Sequence, residues 1–457
     1  MKLKLSTLAL ALLTVSVYAA NSSTPAAADT STRKASSATA AQTTPPASTS
    51  SVAPSAQAEP TPPLNKYGAV DANAKVPLSV QVPGAPANFV PPSFTPEATA
   101  WTGTVVAPPS LNVSSYILVS ANNGKILAAS NANTRLAPAS LTKLMILYIT
   151  EKQLAQGVIH LNDIVTVPQV AWATGGSRMF LKPHQKVTVQ DLISGIIVDS
   201  GNDAAVTLAT YLGGTQTAFV GMMNQEARAL GMTNTHFTDV MGLPAPSHYS
   251  SAYDMALLAQ AIVSQYPQYF SWFSQKSFSY NGIKQANFNK LLFIYRYAQG
   301  MKTGSTSQAG FSLVSAAQMP NNPLQLIAVV MNAKNGMSSA TNSKALLSWG
   351  FRSFSAQLIY KTNDVVGNVP VAGGNPDSVP VTVSQDLYAT IPSSVAGADK
   401  LKADLQLNKD LRAPISKGAV VGTIVVTANG QTVAQVPAVA AKDVSKANWI
   451  QRIKNWF

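Results

Sequence analysis

A break in composition near residue 104 divides this 457-residue chain and limits what can fold. Before the break, residues 20–103 are dominated by Ala, Ser, Thr and Pro, as in "TTPPASTSSVAPSAQAEPTPP". Such a stretch cannot bury enough apolar surface to offset the entropy of ordering it. It reads as a disordered, semi-extended linker. Residues 1–19 differ again. Lys2 and Lys4, an apolar run from Leu5 to Val17, and Val17-Tyr18-Ala19 have the form of a secretory signal peptide. The run falls short of the roughly 20 apolar residues that a membrane anchor needs.

After the break the apolar pattern supports a core. "YILVS" (116–120) and "KILAAS" (125–130) flank an Asn-Gly turn and predict a hairpin. A helix is expected from Ser140 to Gly157. Further helices are expected at 189–199, 203–212, 216–230 and 251–264, with Gly213 and Gly231 at two ends and a serine-to-carboxylate start in "SSAYD". Strands return at "FSYNGIKQ", "GMKTG", "GFSLVSAA" and "LQLIAVVMN", before a helix over "NSKALLSWGF". Strands at both ends with helices between them imply an α/β (α+β) domain over 104–358. Its single sheet is completed by distant segments and flanked by helices.

Residues 359–444 change to short alternating strands, such as "KGAVVGTIVVTANGQTVAQVPAVAA", and predict a small all-β sandwich. In the tail, Trp449, Ile450, Ile453, Trp456 and Phe457 share one helical face, with Lys446, Arg452 and Lys454 off it. Residues 445–457 therefore read as an amphipathic helix anchoring the chain to a membrane surface. A terminal helix packed on the protein body is the competing expectation.

Composition removes several function classes. The chain has no cysteine, which excludes disulfides, thiolate catalysis and thiolate-bound metals. Its four histidines never pair as H-x-x-x-H, so neither a metal nor another cofactor is expected. The formal charge is +13, and 13 − 2 = +11 once Lys2 and Lys4 are removed. With no basic run or nucleic-acid signature, the expected partners are anionic lipid and cell-wall polymer rather than nucleic acid.

Three short motifs carry chemistry through their order and setting. Ser140-x-x-Lys143 opens a helix, so Ser140 Oγ and Lys143 Nζ share one face beside free N–H groups. Those groups suit a developing oxyanion. Lys143 acts as a base only when neutral, and burial or a second cation such as Lys302 would favour that. Ser200-Gly201-Asn202 sits between two helices; Ser200 is placed to relay a proton, and Asn202 to hydrogen-bond a peptide substrate. Lys302-Thr303-Gly304 lies on a strand. On an edge, Lys302 and Thr303 would bind an anionic substrate end, while Gly304 would allow close approach to the nucleophile. A Ser-His-Asp triad is the rival. No G-x-S-x-G elbow supports it, and His236 and His248 fall in turn-rich stretches as capping or loop residues.

These three motifs resemble those of penicillin-binding proteins and serine β-lactamases. "PASLTKLM", "GGSRMFL", "SGNDAA", "GMTNTHFTDVMGL", "YSSAYDMALLAQAI", "KTGSTSQAGFSLVSAA" and "LLSWGF" are similar to the low-molecular-weight, serine-type D-alanyl-D-alanine carboxypeptidases of the penicillin-binding protein 5 and 6 type. The resemblance implies a β-lactamase/transpeptidase-like domain with an antiparallel sheet. It also implies β-lactams as inhibitors and a role in cell-wall metabolism at the periplasmic face of the bacterial inner membrane. By the same resemblance, Ser140 would be acylated by a peptidoglycan stem pentapeptide, terminal D-alanine would leave, and water would release the product. Lys143 would be the base, Ser200 and Asn202 the second element, and Lys302 with Thr303 the carboxylate site. The backbone N–H groups of Ser140 and Ser305 would form the oxyanion hole. Ser305 stands where the family often has histidine, and "NAKNGMSSATN" has Lys334 but lacks an arginine that is common thereabouts. The alternatives are a DD-endopeptidase or β-lactamase of the same clan, or an inactive wall-binding scaffold.

Overall fold

The computed structural model describes residues 105–395, 401–408 and 410–448. The expected signal segment, the linker and residues 449–457 of the expected anchor helix lie outside the described residues.

The first domain opens with the expected hairpin, β1 (Ser115–Ser120) and β2 (Ile126–Ser130). A 3-10 turn, Ala139–Thr142, leads into α1 (Lys143–Ala155). Then come β3 (Ile164–Thr166), α2 (Gln169–Trp172), β4 (Lys186–Thr188), α3 (Val189–Ile197), α4 (Asn202–Gly213), α5 (Gln216–Ala229) and α6 (Ala252–Gln265). The hairpin β5 (Ser277–Tyr280) and β6 (Ile283–Ala286) precedes α7 (Leu291–Ile294). Three long strands, β7 (Ala298–Thr306), β8 (Gly310–Gln318) and β9 (Gln325–Ala333), lead to α8 (Gly336–Ser353).

Local chemistry sets many of these boundaries. Thr188, Thr215, Ser251 and Asn335 cap α3, α5, α6 and α8, each accepting the N–H three residues on. Gly231 ends α5 in the left-handed region, at φ 75°. The helix expected from Ser140 is shorter than its pattern suggested. Ser140 lies in the 3-10 turn Ala139–Thr142, entered through Ala139 at φ 48°, and the α-helix itself begins at Lys143.

The main sheet runs β2-β1-β9-β8-β7, every pair antiparallel. Distant segments therefore complete one sheet, with β7 at its edge. Strand alternation divides the interior. Ile117, Val119, Val314, Ile327, Val329 and Met331 join the core formed with α1 and α6. Leu118, Leu313, Leu326, Ala328 and Val330 face the opposite core with Leu346, Leu347 and Trp349 of α8. Helices thus cover both faces, which is why β1 and β9 read as continuous apolar runs.

The second domain is all-β. Its strands are β10 (Phe354–Tyr360), β11 (Val365–Pro370), β12 (Gly374–Asn375), β13 (Ser378–Val383), β14 (Leu387–Pro392), β15 (Leu401–Leu407), β16 (Val420–Ala428), β17 (Gln431–Ala440) and β18 (Ser445–Lys446). A five-stranded sheet, β11-β13-β17-β16-β15, and the pair β10-β14 enclose a core rich in Val and Ile, including Val381, Ile391, Ile424 and Val426. The expected limits of 359–444 are too narrow. β10 starts directly after α8, because Phe354 and Ala356 still pack on Trp349 and Leu346. At the other end, Gly374 pairs with Lys446 and Asn375 with Ser445. The expected helix over 445–457 therefore does not begin at Ser445; that backbone belongs to the sheet pair. Ser120 Oγ and Thr390 Oγ1, 2.9 Å apart and buried, tie the domains together. Among the described residues no helix is long and apolar enough to cross a membrane.

Candidate active site

Three elements converge on the 3-10 turn. α1 is buried along most of its length, polar residues included, and its first residue, Lys143, goes inside with it. Lys143 is 0% exposed. Its Nζ lies 2.9 Å from Ser140 Oγ, 2.8 Å from Asn202 Oδ1 and 3.0 Å from the Met241 carbonyl. A charged ammonium would donate to all three. A neutral amine has two N–H bonds, which Asn202 and Met241 can accept, and one lone pair left facing Ser140 Oγ. The surroundings suit the neutral form. Burial pushes this amine down to about 7, against the opposing carboxylates of Asp239 and Asp203.

Lys302 on β7 is 1% exposed and is likewise lowered well below its ordinary value, first by burial and then by Lys143. Repulsion between two buried amines is mutual, so the site resists carrying two charges at once. Lys302 Nζ donates to Ser200 Oγ at 2.9 Å and to the Thr303 carbonyl at 3.0 Å. Ser200 occupies the break between α3 and α4 with φ 52°, a left-handed conformation uncommon for serine. At the next helix start, the Asp203 carboxylate accepts the N–H groups of Met179, Leu181 and Ala204, fastening the 179–181 segment to α4.

Gly304 shows why β7 needs a glycine. A Cβ there would sit 2.7 Å from the Pro138 carbonyl oxygen and 2.9 Å from the Leu141 nitrogen. Only a bare backbone lets the edge strand lie this close to the nucleophile turn. Gly242 closes the turn from another side, where a Cβ would meet the Ala139 carbonyl oxygen at 1.9 Å.

Ser140, Lys143, Ser200, Asn202, Lys302 and Gly304 are thus brought together. Asn202 is tied to both the lysine and the neighbouring backbone. Its Oδ1 accepts from Lys143 and its Nδ2 donates to the Gly175 carbonyl at 2.7 Å, so the amide orients the lysine. Thr303 pairs with Leu313 and Ser305 with Phe311, while Lys302 pairs with Val314. Alternation therefore separates Thr303 and Ser305 from the Lys302 face. Thr303 is half-buried and Ser305 exposed.

Residues 102–335 match the family of D-alanyl-D-alanine carboxypeptidases. The chain belongs to this carboxypeptidase family. Residues 354–446 match the C-terminal domain of penicillin-binding protein 5, the same span over which the β domain folds. The D-alanyl-D-alanine carboxypeptidase DacA of Escherichia coli K12 is 41% identical over 357 residues, covering 76% of this chain and 88% of that one. Penicillin-binding protein 5 of Haemophilus influenzae, a solved structure, is 39% identical with a TM-score of 0.67, covering 75% of this chain and all of that one. Penicillin-binding protein 6B of Escherichia coli matches at 36% identity and TM-score 0.59, covering 73% of this chain and 97% of that one.

In this carboxypeptidase several groups at the site had no motif to announce them. Met241 contributes only its carbonyl, and a backbone acceptor has no residue signature. Asp239 Oδ1 accepts the N–H groups of Met241 at 2.6 Å and Gly242 at 2.7 Å, and so shapes the turn that presents that carbonyl. His248 does lie in a loop, as the sequence suggested, yet it is 2% exposed and bonded to Thr142 inside the S-x-x-K motif. His236, by contrast, makes a peripheral contact with the Ser247 carbonyl at 2.7 Å.

Proposed function

We propose that Ser140 is the acylated nucleophile of this D-alanyl-D-alanine carboxypeptidase and Lys143 its general base. The observation that carries this is Lys143 Nζ 2.9 Å from Ser140 Oγ, with the Asn202 and Met241 carbonyl oxygens at 2.8 and 3.0 Å ready to accept the two N–H bonds of a neutral amine. The Ser140 proton passes to the Nζ lone pair as Oγ attacks the carbonyl of the penultimate D-alanine in a stem pentapeptide. The Ser140 and Ser305 backbone N–H groups stabilise the oxyanion. As the C–N bond breaks, a proton returns to the departing amine of the terminal D-alanine, with Ser200 as relay. Water then attacks the ester, activated by Lys143, and frees Ser140.

The substrate carboxylate belongs near Lys302; the Thr303 and Ser305 hydroxyls, on the opposite face of β7, would reach it only past the strand's outer edge. An anion there favours the charged form of Lys302 and, through repulsion, the neutral form of Lys143. Binding thereby prepares the base. Among the described residues the outer side of β7 has no sheet neighbour, so an extended stem peptide fits as an added strand. β-Lactams acylate the same serine.

Localisation rests on sequence. The 1–19 segment directs export, the 20–103 linker spaces the domains from the N-terminus, and the tail aromatic face binds the periplasmic side of the inner membrane. Deleting residues 449–457 should abolish binding to anionic vesicles; retained binding removes the anchor.

The decisive experiment incubates purified protein with a defined pentapeptide and weighs the products. Loss of one alanine is expected, together with a long-lived penicillin adduct on Ser140. Ser140→Ala should abolish both. Unchanged D-alanine release from that variant overturns the assignment, and cleavage of cross-linked dimers instead marks an endopeptidase.

A further inference from the structure

The loop over residues 238–248 touches the nucleophile turn at three separate points. Gly242 packs on the Ala139 carbonyl, Met241 offers its carbonyl to Lys143 Nζ, and His248 Nε2 lies 2.8 Å from Thr142 Oγ1. Asp239 organises the loop from within. Beyond the Met241 and Gly242 amides, it accepts from the Leu243 N–H at 3.1 Å, and its Oδ2 faces His248 Nδ1 at 3.5 Å. Thr238 presents its backbone N–H at 3.2 Å and its hydroxyl at 3.1 Å to His248 Nδ1, while the Asp239 carboxylate stays at 3.5 Å. In the neutral tautomer that satisfies the Thr238 N–H, Nδ1 accepts and Nε2 carries the hydrogen toward Thr142. The ring is neutral in this arrangement, the form that burial favours.

We propose that Asp239 and His248 are positioning residues for acylation. They clamp the 238–248 loop onto the Thr142 side of the nucleophile turn, and so fix the carbonyl that holds Lys143 against Ser140. The inference rests on Lys143 being the base. A neutral amine presents its lone pair to Ser140 only while both N–H bonds are held elsewhere. Asn202 fixes one from α4; the clamped loop fixes the other. Loosening the loop frees the amine to rotate, and the nucleophile loses its aligned acceptor. Asp239 has a second, electrostatic effect. The charged groups facing Lys143 are Asp203 from α4, Lys302 from β7 and Asp239 from this loop, with neutral His248 behind it. Both carboxylates favour charged Lys143; removing the Asp239 charge favours the neutral base.

The test is rapid acylation of the full chain by a fluorescent penicillin, read as the rate at saturation and the dissociation constant separately. Thr142→Val removes one hydroxyl at nearly constant volume, and His248→Phe keeps a ring without the donor. Each should lower the saturating rate about tenfold and leave the dissociation constant within about twofold. His248→Gln keeps an N–H donor and should recover most of the rate lost in His248→Phe. Asp239→Asn should move the acid limb of the pH–rate profile to lower pH, which loss of packing alone does not do. Wild-type rates in Thr142→Val and His248→Phe overturn the proposal, as does an Asp239→Asn limb that stays in place. If His248→Phe fails to fold, Thr142→Val and Asp239→Asn decide alone. Lys143→Ala, run beside them, separates the two readings. Normal acylation by that variant ends the assignment of the base, whereas a dead Lys143→Ala with unaffected loop variants ends only the clamp.

Discussion

The two domains treat charge in opposite ways. In the described β domain, every Asp, Lys and Arg from Lys361 onward is exposed, and the interior is Val, Ile, Leu and Ala. The catalytic domain buries Lys143, Lys302, Glu151 and Asp199 to 2% exposure or less. Burial pushes the Glu151 carboxyl well above its ordinary value and that of Asp199 up to about 7. Isolated buried charges are costly, and no account of packing alone would place four ionisable groups there. At Lys143 and Lys302 that cost lowers the pKa of two amines beside Ser140 and Ser200, the arrangement the proposed mechanism uses. Among its described residues the β domain buries no such group, and its core is packed almost wholly from alternating apolar side chains. One region is shaped by burial; the other holds reactive groups that burial opposes.

Two substitutions probe this contrast at its extremes. Gly242→Ala places a Cβ 1.9 Å from the Ala139 carbonyl oxygen, at φ 87°, so the nucleophile turn must shift. Displacing a catalytic group by about 1 Å can cost roughly 100-fold, and a loss of about that size is expected in penicillin acylation by stopped flow. Ile391→Ala removes a fully buried side chain from the β domain. It should destabilise by about 2.5 kcal/mol in urea titration while leaving the acylation rate unchanged. A changed rate would break the division, showing that the β-domain core reaches Ser140.

The same contrast explains what could be read in the chain. Strand alternation in "TIVVTA" and the caps at Thr188 and Ser251 are local, and burial obeys them. The sites of Ser140, Lys143, Ser200 and Lys302 were legible because side-chain chemistry marks them. The closeness of Gly304 to Leu141 was also foreseeable from the chemistry its strand must reach. Met241, Asp239 and His248 were not. Their contribution comes through a carbonyl, a turn and a tautomer, all products of tertiary packing about 100 residues beyond the serine. Ser445 and Lys446, expected in a C-terminal helix, lie in a strand for a related reason. Ser445 and Lys446 are polar and helix-compatible alone, but pairing with Asn375 and Gly374 holds them in a strand.

pH sharpens the comparison further. With Lys143 lowered to about 7, its neutral fraction falls tenfold for each pH unit below that value. A base must be neutral to accept the Ser140 proton, so acylation should rise about tenfold from pH 5.5 to 6.5 and level off above 7. A rate flat across that range would mean that Lys143 is not the base. Ile391→Ala should keep the wild-type limb, since among the described residues its domain holds no buried charge coupled to the site.

The smallest effect lies where the two regions meet. α8 packs its buried face against the main sheet and runs straight into β10, so it belongs to both domains. Its first turn relies on Asn335, whose Oδ1 accepts the Ser338 N–H at 2.8 Å. Asn335→Ala leaves that donor to water and should cost about 1 kcal/mol, read as a lower thermal midpoint. The cap is exposed and far along the chain from the nucleophile, so acylation should match the wild type. If α8 transmits strain from one domain to the other, Asn335→Ala will instead lower stability and acylation together. Paired with Ile391→Ala, it distinguishes a rigid joint between independent domains from a single cooperative unit.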